Sequence, residues 1–229
     1  MTTRLTLALL VVCGAASVSR AEDGNGKALP KVLLLGDSIR LSYTELVTQQ
    51  LDGKAVVVSH KANGGDSANT LSHLTEWAIK VQPDIIHFNC GIHDTKWFEK
   101  DQRFQVPPDQ YADNLRTIVK RLREETSAKL FFVTTTPILD ERAAAAREGR
   151  DYALKNASIQ RYNDIAGKVM AELNVPVNDL NATLTGADAA LPVDKLIGDD
   201  GVHLTPAGRE LAGQTVAEFL QLQLTTNAK

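Results

Sequence analysis

The stretch Lys31-Val-Leu-Leu-Leu-Gly-Asp-Ser-Ile39 joins a short apolar run to an abrupt polar turn. The four apolar residues 32–35 predict a buried strand, and Gly36-Asp-Ser38 predicts the tight turn that ends it. Strand ends in parallel α/β sheets face the ligand crevice. The stretch therefore predicts that Ser38 lies at the mouth of a site, although Gly-Asp-Ser alone is more typical of a turn that caps the next helix.

The rest of the chain alternates between apolar runs and amphipathic stretches. Further strands are predicted at residues 55–59, 84–89, 130–133 and 175–177. Helices are predicted at residues 44–51, 70–81, 111–123, 159–173 and 206–222. This alternation predicts a parallel sheet with helices on both faces. With right-handed crossovers, we expect a flavodoxin-like three-layer α/β/α sandwich with a five-stranded parallel sheet.

Residues 1–21 have the pattern of a secretory signal peptide, with Arg4 as the basic region and a small residue before the predicted cleavage point. The apolar core is too short for a spanning helix, which needs about 20 apolar residues. We expect a secreted or periplasmic protein with no integral membrane segment in the mature chain. A flexible leader is predicted at residues 22–30, followed by a single domain at 31–229.

Composition narrows the partners that the chain can have. The net charge is −3 and no stripe rich in lysine or arginine occurs, so no nucleic-acid partner is expected. Of the two cysteines, Cys13 lies in the predicted signal peptide and Cys90 in an apolar run. No internal disulfide is therefore expected, and Cys90 is predicted to be a buried apolar side chain. A lipid anchor at Cys13 is the lesser alternative to cleavage.

A motif near the C-terminus, Asp200-Gly-Val-His203, could activate a serine. A serine hydroxyl is a poor nucleophile until a base takes its proton. An aspartate three residues before a histidine can bind the ring at Nδ1 and leave Nε2 free as that base. The motif alone also fits two metal ligands, or a capping aspartate beside a surface histidine. No cluster of histidines or cysteines accompanies it, so we predict neither a metal nor another cofactor.

Two further polar loops follow predicted strands. In Asn63-Gly-Gly-Asp-Ser67, a glycine would let a backbone N–H approach substrate closely. In Gly91-Ile-His-Asp94, the side chain at position 93 would point at the same crevice as Ser38. Each loop is also consistent with a simple turn or a helix start. Their shared position at one sheet edge favours a role in binding an oxyanion.

Taken in order, these motifs resemble those of the SGNH (GDSL-type) serine hydrolase superfamily across nearly all of the predicted domain. The resemblance implies that Ser38 is the nucleophile and that its backbone N–H is the first oxyanion donor. It implies Gly65 as the second backbone donor. It also implies that Asp200 and His203 complete a catalytic triad with Ser38.

One block departs from the family's pattern, because His93 stands where the family has an asparagine that donates to the oxyanion. A neutral imidazole donates one N–H and a protonated one donates from both nitrogens, so we expect His93 to serve with a pH dependence. Asn89 and Asn63 are the alternative amide donors. Asp37 is expected to hold the nucleophile turn by accepting backbone N–H bonds, and Asp94 to cap the segment that follows it.

The function predicted from these residues is that of a serine esterase acting on a small-molecule or polysaccharide ester. Export, and the resemblance to family members that deacetylate polysaccharides, favour a carbohydrate O-acetyl ester. One alternative is an acyl hydrolase of the lysophospholipase or thioesterase type, which the lack of a long exposed apolar stretch disfavours. The other is a non-catalytic carbohydrate-binding protein on the same fold.

Two features near the predicted site have two interpretations each. Tyr43, Trp97 and Phe98 are expected either to pack in the core or to meet a sugar. The charged, alanine-rich residues 139–153 are predicted to be a solvated surface insertion. A short helix or flap over the site is the alternative.

Overall fold

The computed structural model describes residue 21 and residues 26–186 and 191–225. The predicted signal peptide and the first residues of the predicted leader fall outside this part of the chain, apart from Ala21. No helix within the described residues is long and apolar enough to cross a membrane.

Strands and helices alternate along the chain, as the sequence predicts. In chain order the elements are β1 (Lys31–Leu35), α1 (Ser38–Gln50), β2 (Val56–Ser59), α2 (Ser67–Ser72), a π-helix (Thr75–Ile79), β3 (Ile85–Phe88), β4 (Trp97–Phe98), β5 (Arg103–Phe104), α3 (Pro108–Glu125), β6 (Lys129–Val133), α4 (Asp140–Ala145), α5 (Asn156–Glu172), β7 (Val177–Asn178), α6 (Leu180–Thr185), α7 (Val193–Leu196) and α8 (Pro206–Thr225).

Five parallel strands form the central sheet in the order β2-β1-β3-β6-β7. This is the strand order of flavodoxin-like folds, so the predicted three-layer sandwich is confirmed. The order places the chain reversal between β1 and β3, where ligand crevices form in such sheets. The loops after β1, β2 and β3 therefore meet at one edge.

The central position of β1 in the sheet explains why residues 32–35 are all apolar. Successive side chains of a strand point to opposite faces of the sheet. Val32 and Leu34 pack in the layer that contains α1 and α8, and Leu33 and Leu35 pack in the layer that contains α3 and α5. All four side chains are fully buried, as expected for a central strand covered on both faces.

The stretch predicted as a helix at 70–81 is helical but is divided in two. The structure has α2 and then the π-helix in its place. In this wider turn the Trp77 ring stacks between the imidazoles of His60 and His73, with centroids 4.3 and 4.4 Å away. Apolar spacing predicts a helix there but does not distinguish an α-turn from a π-turn.

Other departures concern element lengths. Helix α1 begins at Ser38, six residues before the predicted start, because Asp37 caps it by accepting the Ile39 N–H at 2.9 Å. The β4–β5 hairpin, α6 and α7 were not predicted, since elements of two to six residues leave no periodic pattern. Cys90 carries a free thiol, and its side chain is buried, as predicted.

Candidate active site

Ser38, His203 and Asp200 form a hydrogen-bonded series at the carboxyl edge of the sheet. Ser38 Oγ lies 3.0 Å from His203 Nε2, although the two residues are 165 positions apart in the chain. His203 Nδ1 lies 2.5 Å from Asp200 Oδ2. With the proton on Nδ1, the imidazole donates to the carboxylate and presents the lone pair of Nε2 to the serine hydroxyl.

The Asp200 carboxylate is held by its own loop as well as by the histidine. Its Oδ1 accepts the backbone N–H groups of Val202 at 3.0 Å and of His203 at 2.9 Å. Partial burial works to raise the pKa of Asp200, but these hydrogen bonds and the one from the His203 ring outweigh it and hold the pKa below its usual value. The carboxylate is therefore charged and fixed in orientation.

Part of the charged, alanine-rich segment that contains α4 supports this loop from behind. Arg147 Nη1 donates to the Asp200 carbonyl at 2.9 Å, and the Leu139 N–H donates to the Gly201 carbonyl at 2.9 Å. Gly201 has a φ of +71°, and a Cβ there would lie 2.3 Å from the Ala143 nitrogen. The segment is exposed along much of its length, as predicted, yet it packs tightly against the loop that carries the base.

The nucleophile turn is built around Gly36 and Asp37. A Cβ on Gly36 would lie 1.8 Å from Asn89 Oδ1, so only glycine fits there. Asn89 Nδ2 donates to Asp37 Oδ2 at 3.3 Å, which engages the Asn89 amide in supporting this turn. The Ser38 N–H, at the first position of α1, has no acceptor within the described chain. That N–H is available to a ligand.

The loop after β2 docks on this turn through the backbone. The Gly64 N–H donates to the Gly36 carbonyl at 3.0 Å, and Gly65 follows with a φ of +64°. In the free protein the Gly65 N–H donates to Asn63 Oδ1 at 2.9 Å. A ligand oxygen that uses this N–H must share it with Asn63 or replace the Asn63 oxygen.

Arg40, which the sequence interpretation missed, joins these two loops. Its side chain is 1% exposed. Nη2 donates to the Gly36 carbonyl at 2.8 Å and to the Ala62 carbonyl at 3.0 Å, and Nη1 donates to the His60 carbonyl at 2.8 Å and to Ser59 Oγ at 2.6 Å. Burial lowers the pKa of Arg40. One guanidinium thus holds the nucleophile turn and the Gly65 loop in fixed relation.

Asp94 likewise joins two loops, because it lies in the loop after β3 and binds the start of α2. Its buried carboxylate accepts the Ser67 N–H at 2.9 Å and the Ser67 hydroxyl at 2.5 Å, and Asn114 Nδ2 donates to that hydroxyl at 2.9 Å. The expectation that Asp94 caps the following segment is wrong, because the carboxylate binds the start of α2 instead. Burial raises the pKa of Asp94 to about 7, although the bonds from Ser67 oppose that shift.

His93 differs from the residues around it because its imidazole makes no hydrogen bond to any described residue. Burial lowers its pKa most. The negative charge of Asp37 works in the opposite direction, and the positive charge of Lys96 lowers the pKa further. The ring is therefore held mainly in its neutral form and keeps its N–H free for a ligand.

This arrangement suits acyl transfer to a serine. It combines a hydroxyl, a base oriented by a carboxylate, and N–H groups on separate loops at one edge of the sheet. Within the described residues, no group of three or more His, Cys, Asp or Glu side chains could hold a metal ion.

Comparison with known proteins identifies relatives over the same region. The family described as GDSL-like Lipase/Acylhydrolase matches residues 34–211. An isoamyl acetate-hydrolyzing esterase 1 homolog from Mus musculus is 27% identical, over 90% of this chain and 88% of the relative. The homolog from Bos taurus is 24% identical, over 82% of this chain and 80% of its own length.

Solved structures share the fold at lower sequence identity. A lipase/acylhydrolase from Enterococcus faecalis superposes with a TM-score of 0.67 and 20% identity, covering 85% of this chain and 97% of the other. An acetylxylan esterase from Geobacillus stearothermophilus gives 0.66 and 19%, with coverages of 87% and 95%. At these identities the likeness shows the fold, and the chemistry rests on this chain's own residues.

Proposed function

The chain belongs to the GDSL-like lipase/acylhydrolase family, and from this premise we propose that it is an exported serine esterase that removes acetyl groups from carbohydrate. The observation that carries the proposal is the continuous hydrogen-bonded series from Ser38 through His203 to Asp200. A surface serine or a capping aspartate has no need of this geometry, which matches the requirements of nucleophilic catalysis.

The reaction begins when His203 Nε2 takes the proton of the Ser38 hydroxyl. The oxygen attacks the ester carbonyl carbon, and the electron pair of the carbonyl bond moves onto the carbonyl oxygen. Asp200 keeps the imidazole in the required tautomer and stabilises the imidazolium that forms.

The backbone N–H groups of Ser38 and Gly65 and the side chain of His93 are the proposed donors to the oxyanion. Gly65 exchanges its Asn63 partner for the charged substrate oxygen, which is the stronger acceptor. The neutral His93 ring supplies one further N–H, because no described residue competes for it. Donors fixed before the reaction stabilise developing charge without reorganising at the moment of attack.

The intermediate collapses when the imidazolium of His203 protonates the alcohol oxygen and the alcohol leaves. An acetyl group then remains on Ser38. Water, deprotonated by His203, attacks this acyl-enzyme, and collapse of the second intermediate releases acetate and restores the serine.

The names of the similar proteins support acetate as the acyl group. The mouse relative is named for hydrolysis of isoamyl acetate, and two structural neighbours are acetylxylan esterases. The alcohols differ between these proteins, whereas the acetyl group is shared. Within the described residues, the exposed large apolar side chains are Leu191 and Leu222, which lie in separate segments of the chain.

The role of Ser38 as the nucleophile is tested by measuring hydrolysis of p-nitrophenyl acetate. We expect Ser38→Ala to lower kcat by about 10⁴–10⁶. Ser42→Ala is the matched control, since Ser42 lies on the same helix with its hydroxyl bonded to the Ile39 carbonyl, and it should retain the wild-type rate. Equal rates for wild type and Ser38→Ala would contradict the esterase and favour a carbohydrate-binding protein.

The substrate and location are tested separately. We expect a higher kcat/KM for acetylated xylo-oligosaccharides than for isoamyl acetate or p-nitrophenyl octanoate, and the reverse order would contradict a carbohydrate ester. The exported protein is expected to begin at Glu22 by N-terminal sequencing. A chain that retains residues 1–21 and stays in the cytoplasm would contradict export.

A further inference from the structure

A cavity of about 490 Å³ lies beside the candidate active site, between residues 140–155 and the start of the β4–β5 hairpin. Its volume is within the usual range for small-molecule sites, about 300–1,000 Å³. Neither Ser38 nor His203 lines it. It is therefore a separate space from the one in front of the nucleophile.

The aromatic wall of this cavity is held in place. The Trp97 indole N–H donates to Glu99 at 2.7 Å, and the Trp97 backbone exchanges two hydrogen bonds with Ala153, both of 2.9 Å. The Phe104 ring contacts the indole edge-on, with centroids 5.0 Å apart. Tyr152 lines the same cavity. A fixed ring loses little conformational entropy when a ligand packs on it.

Charged side chains of both signs surround that wall. Asp140, Glu141 and Asp151 carry negative charge, and Arg150 and Lys155 carry positive charge. Within the described chain, none of these five forms an ion pair with another. Asp140 Oδ1 accepts the Asn156 N–H, and the other four side chains supply hydrogen-bond donors and acceptors without a dominant sign of charge. A ligand with many neutral hydroxyls meets both, whereas a small aliphatic alcohol leaves most of them unused.

Arg147 connects the cavity to the proposed catalytic triad. It lines the cavity, and its Nη1 donates to the carbonyl of Asp200 at 2.9 Å. The Arg147 guanidinium therefore lies between the cavity and the loop that carries His203.

We propose that this cavity binds sugar units of a neutral polysaccharide, as a subsite for the chain whose ester is cleaved at Ser38. The link to cleavage rests on the proposed esterase function, but binding of the saccharide does not. Flat C–H faces of sugar rings pack on Trp97 and Tyr152, and the hydroxyl groups meet the charged rim. The relatives leave the alcohol part of the substrate open, and this cavity assigns it to carbohydrate.

The chain carries two tryptophans, which provides a direct test. Trp77 stacks between two imidazoles and does not line the cavity. Trp77→Phe leaves Trp97 as the sole indole, and Trp97→Phe leaves Trp77. Each full-length variant, its fold checked by circular dichroism, is titrated with unsubstituted β-1,4-linked hexaoses of xylose, glucose, mannose and N-acetylglucosamine.

We expect at least one hexaose to give a saturable change of emission in Trp77→Phe, with a dissociation constant of about 1 mM or lower. The same hexaose should give no change in Trp97→Phe. Adding Tyr152→Ala to the Trp77→Phe protein should weaken binding about 10-fold or more.

Three results would overturn the proposal: no change with any hexaose, an equal change in both variants, or a change with isoamyl alcohol alone. Since no ester is cleaved in this titration, its outcome is independent of the Ser38→Ala assay. Saccharide binding without aryl acetate hydrolysis would refute the esterase and leave the subsite standing. Hydrolysis without saccharide binding would refute the subsite alone.

Discussion

The loops that contain His203 and His93 place two imidazoles at the same edge of the sheet but hold them in opposite ways. His203 is bonded at both ring nitrogens, to Ser38 and to Asp200. The His93 ring is bonded to no described residue. The first imidazole is fixed for one task before substrate arrives, whereas the second keeps its N–H free to meet the ligand.

The difference extends to the groups behind each loop. On the proposed triad side, Asp200 holds its own loop and the His203 ring, and Arg147 donates to the Asp200 carbonyl from behind. On the proposed oxyanion side, two buried side chains, Arg40 and Asp94, hold the loops in place. The Ser38 N–H and the His93 ring are bonded to no described residue, so the loops that carry them are held by other groups.

The most severe way to disturb the fixed side is Asp200→Asn. We expect kcat for p-nitrophenyl acetate to fall by about 10⁴, because an amide can stabilise the wrong tautomer of the His203 ring and cannot stabilise its charged form. KM should change little. A loss of less than about 10-fold would show that Asp200 does not orient the base.

The free imidazole is tested by His93→Ala and His93→Asn. The alanine variant should lose about 10²–10³ in kcat, the usual effect of removing one oxyanion donor, and the asparagine variant should keep most of the activity. Burial lowers the pKa of His93, so its ring becomes protonated only as the pH falls through that lowered value. A protonated ring donates from both nitrogens, and the ratio of wild-type to His93→Asn activity should therefore rise as the pH falls. Full activity of His93→Ala at every pH would contradict the role.

The support beneath the oxyanion side is tested by Arg40→Met. Methionine leaves several buried carbonyls without donors, so we expect the free energy of unfolding to fall by about 3 kcal/mol. Turnover should fall by about 10-fold or more, because the Gly65 loop loses the guanidinium that also ties it to the nucleophile turn. Arg116→Met, at an exposed ion pair with Glu172, is the control and should change neither quantity appreciably in urea denaturation and kinetics.

The last prediction concerns Asp94, whose pKa is raised from 3.8 to about 7 in the folded chain. The folded state therefore binds a proton more readily than the unfolded state between these values. The stability of the wild type relative to Asp94→Asn should be greatest below pH 3.8 and should decline as the pH rises to about 7. Urea denaturation across this range measures the decline, and a constant difference would show that Asp94 is not proton-linked to folding.

Much of the fold could be predicted from the sequence because its central strands are apolar runs bounded by polar turns. The composition of residues 31–35 indicates both that they form a strand and that this strand is buried on both faces of the sheet. The π-helix at 75–79 could not be predicted, since its apolar spacing also fits an α-helix. The short β4–β5 hairpin, α6 and α7 depend on tertiary contacts and leave no periodic signal.

The site could be predicted only where its residues form local motifs. Gly-Asp-Ser and Asp-x-x-His are readable because each spans a few positions. The bond between Ser67 and Asp94 joins residues 27 positions apart that carry no shared motif. The sequence spacing does indicate burial of Arg40, because it lies in helical register with the buried Tyr43 and Val47 and so faces the core. A cation at such a position needs buried acceptors.

The central claim, that His203 activates Ser38 as a nucleophile, is tested most directly by covalent labelling with a reactive alkyl phosphonate. Mass spectrometry of the digested wild-type protein should find one adduct, on the peptide that contains Ser38. The labelling rate should fall by about 10² or more in His203→Ala, because the base that takes the serine proton is gone. An adduct on another residue, or an unchanged rate in His203→Ala, would contradict the account.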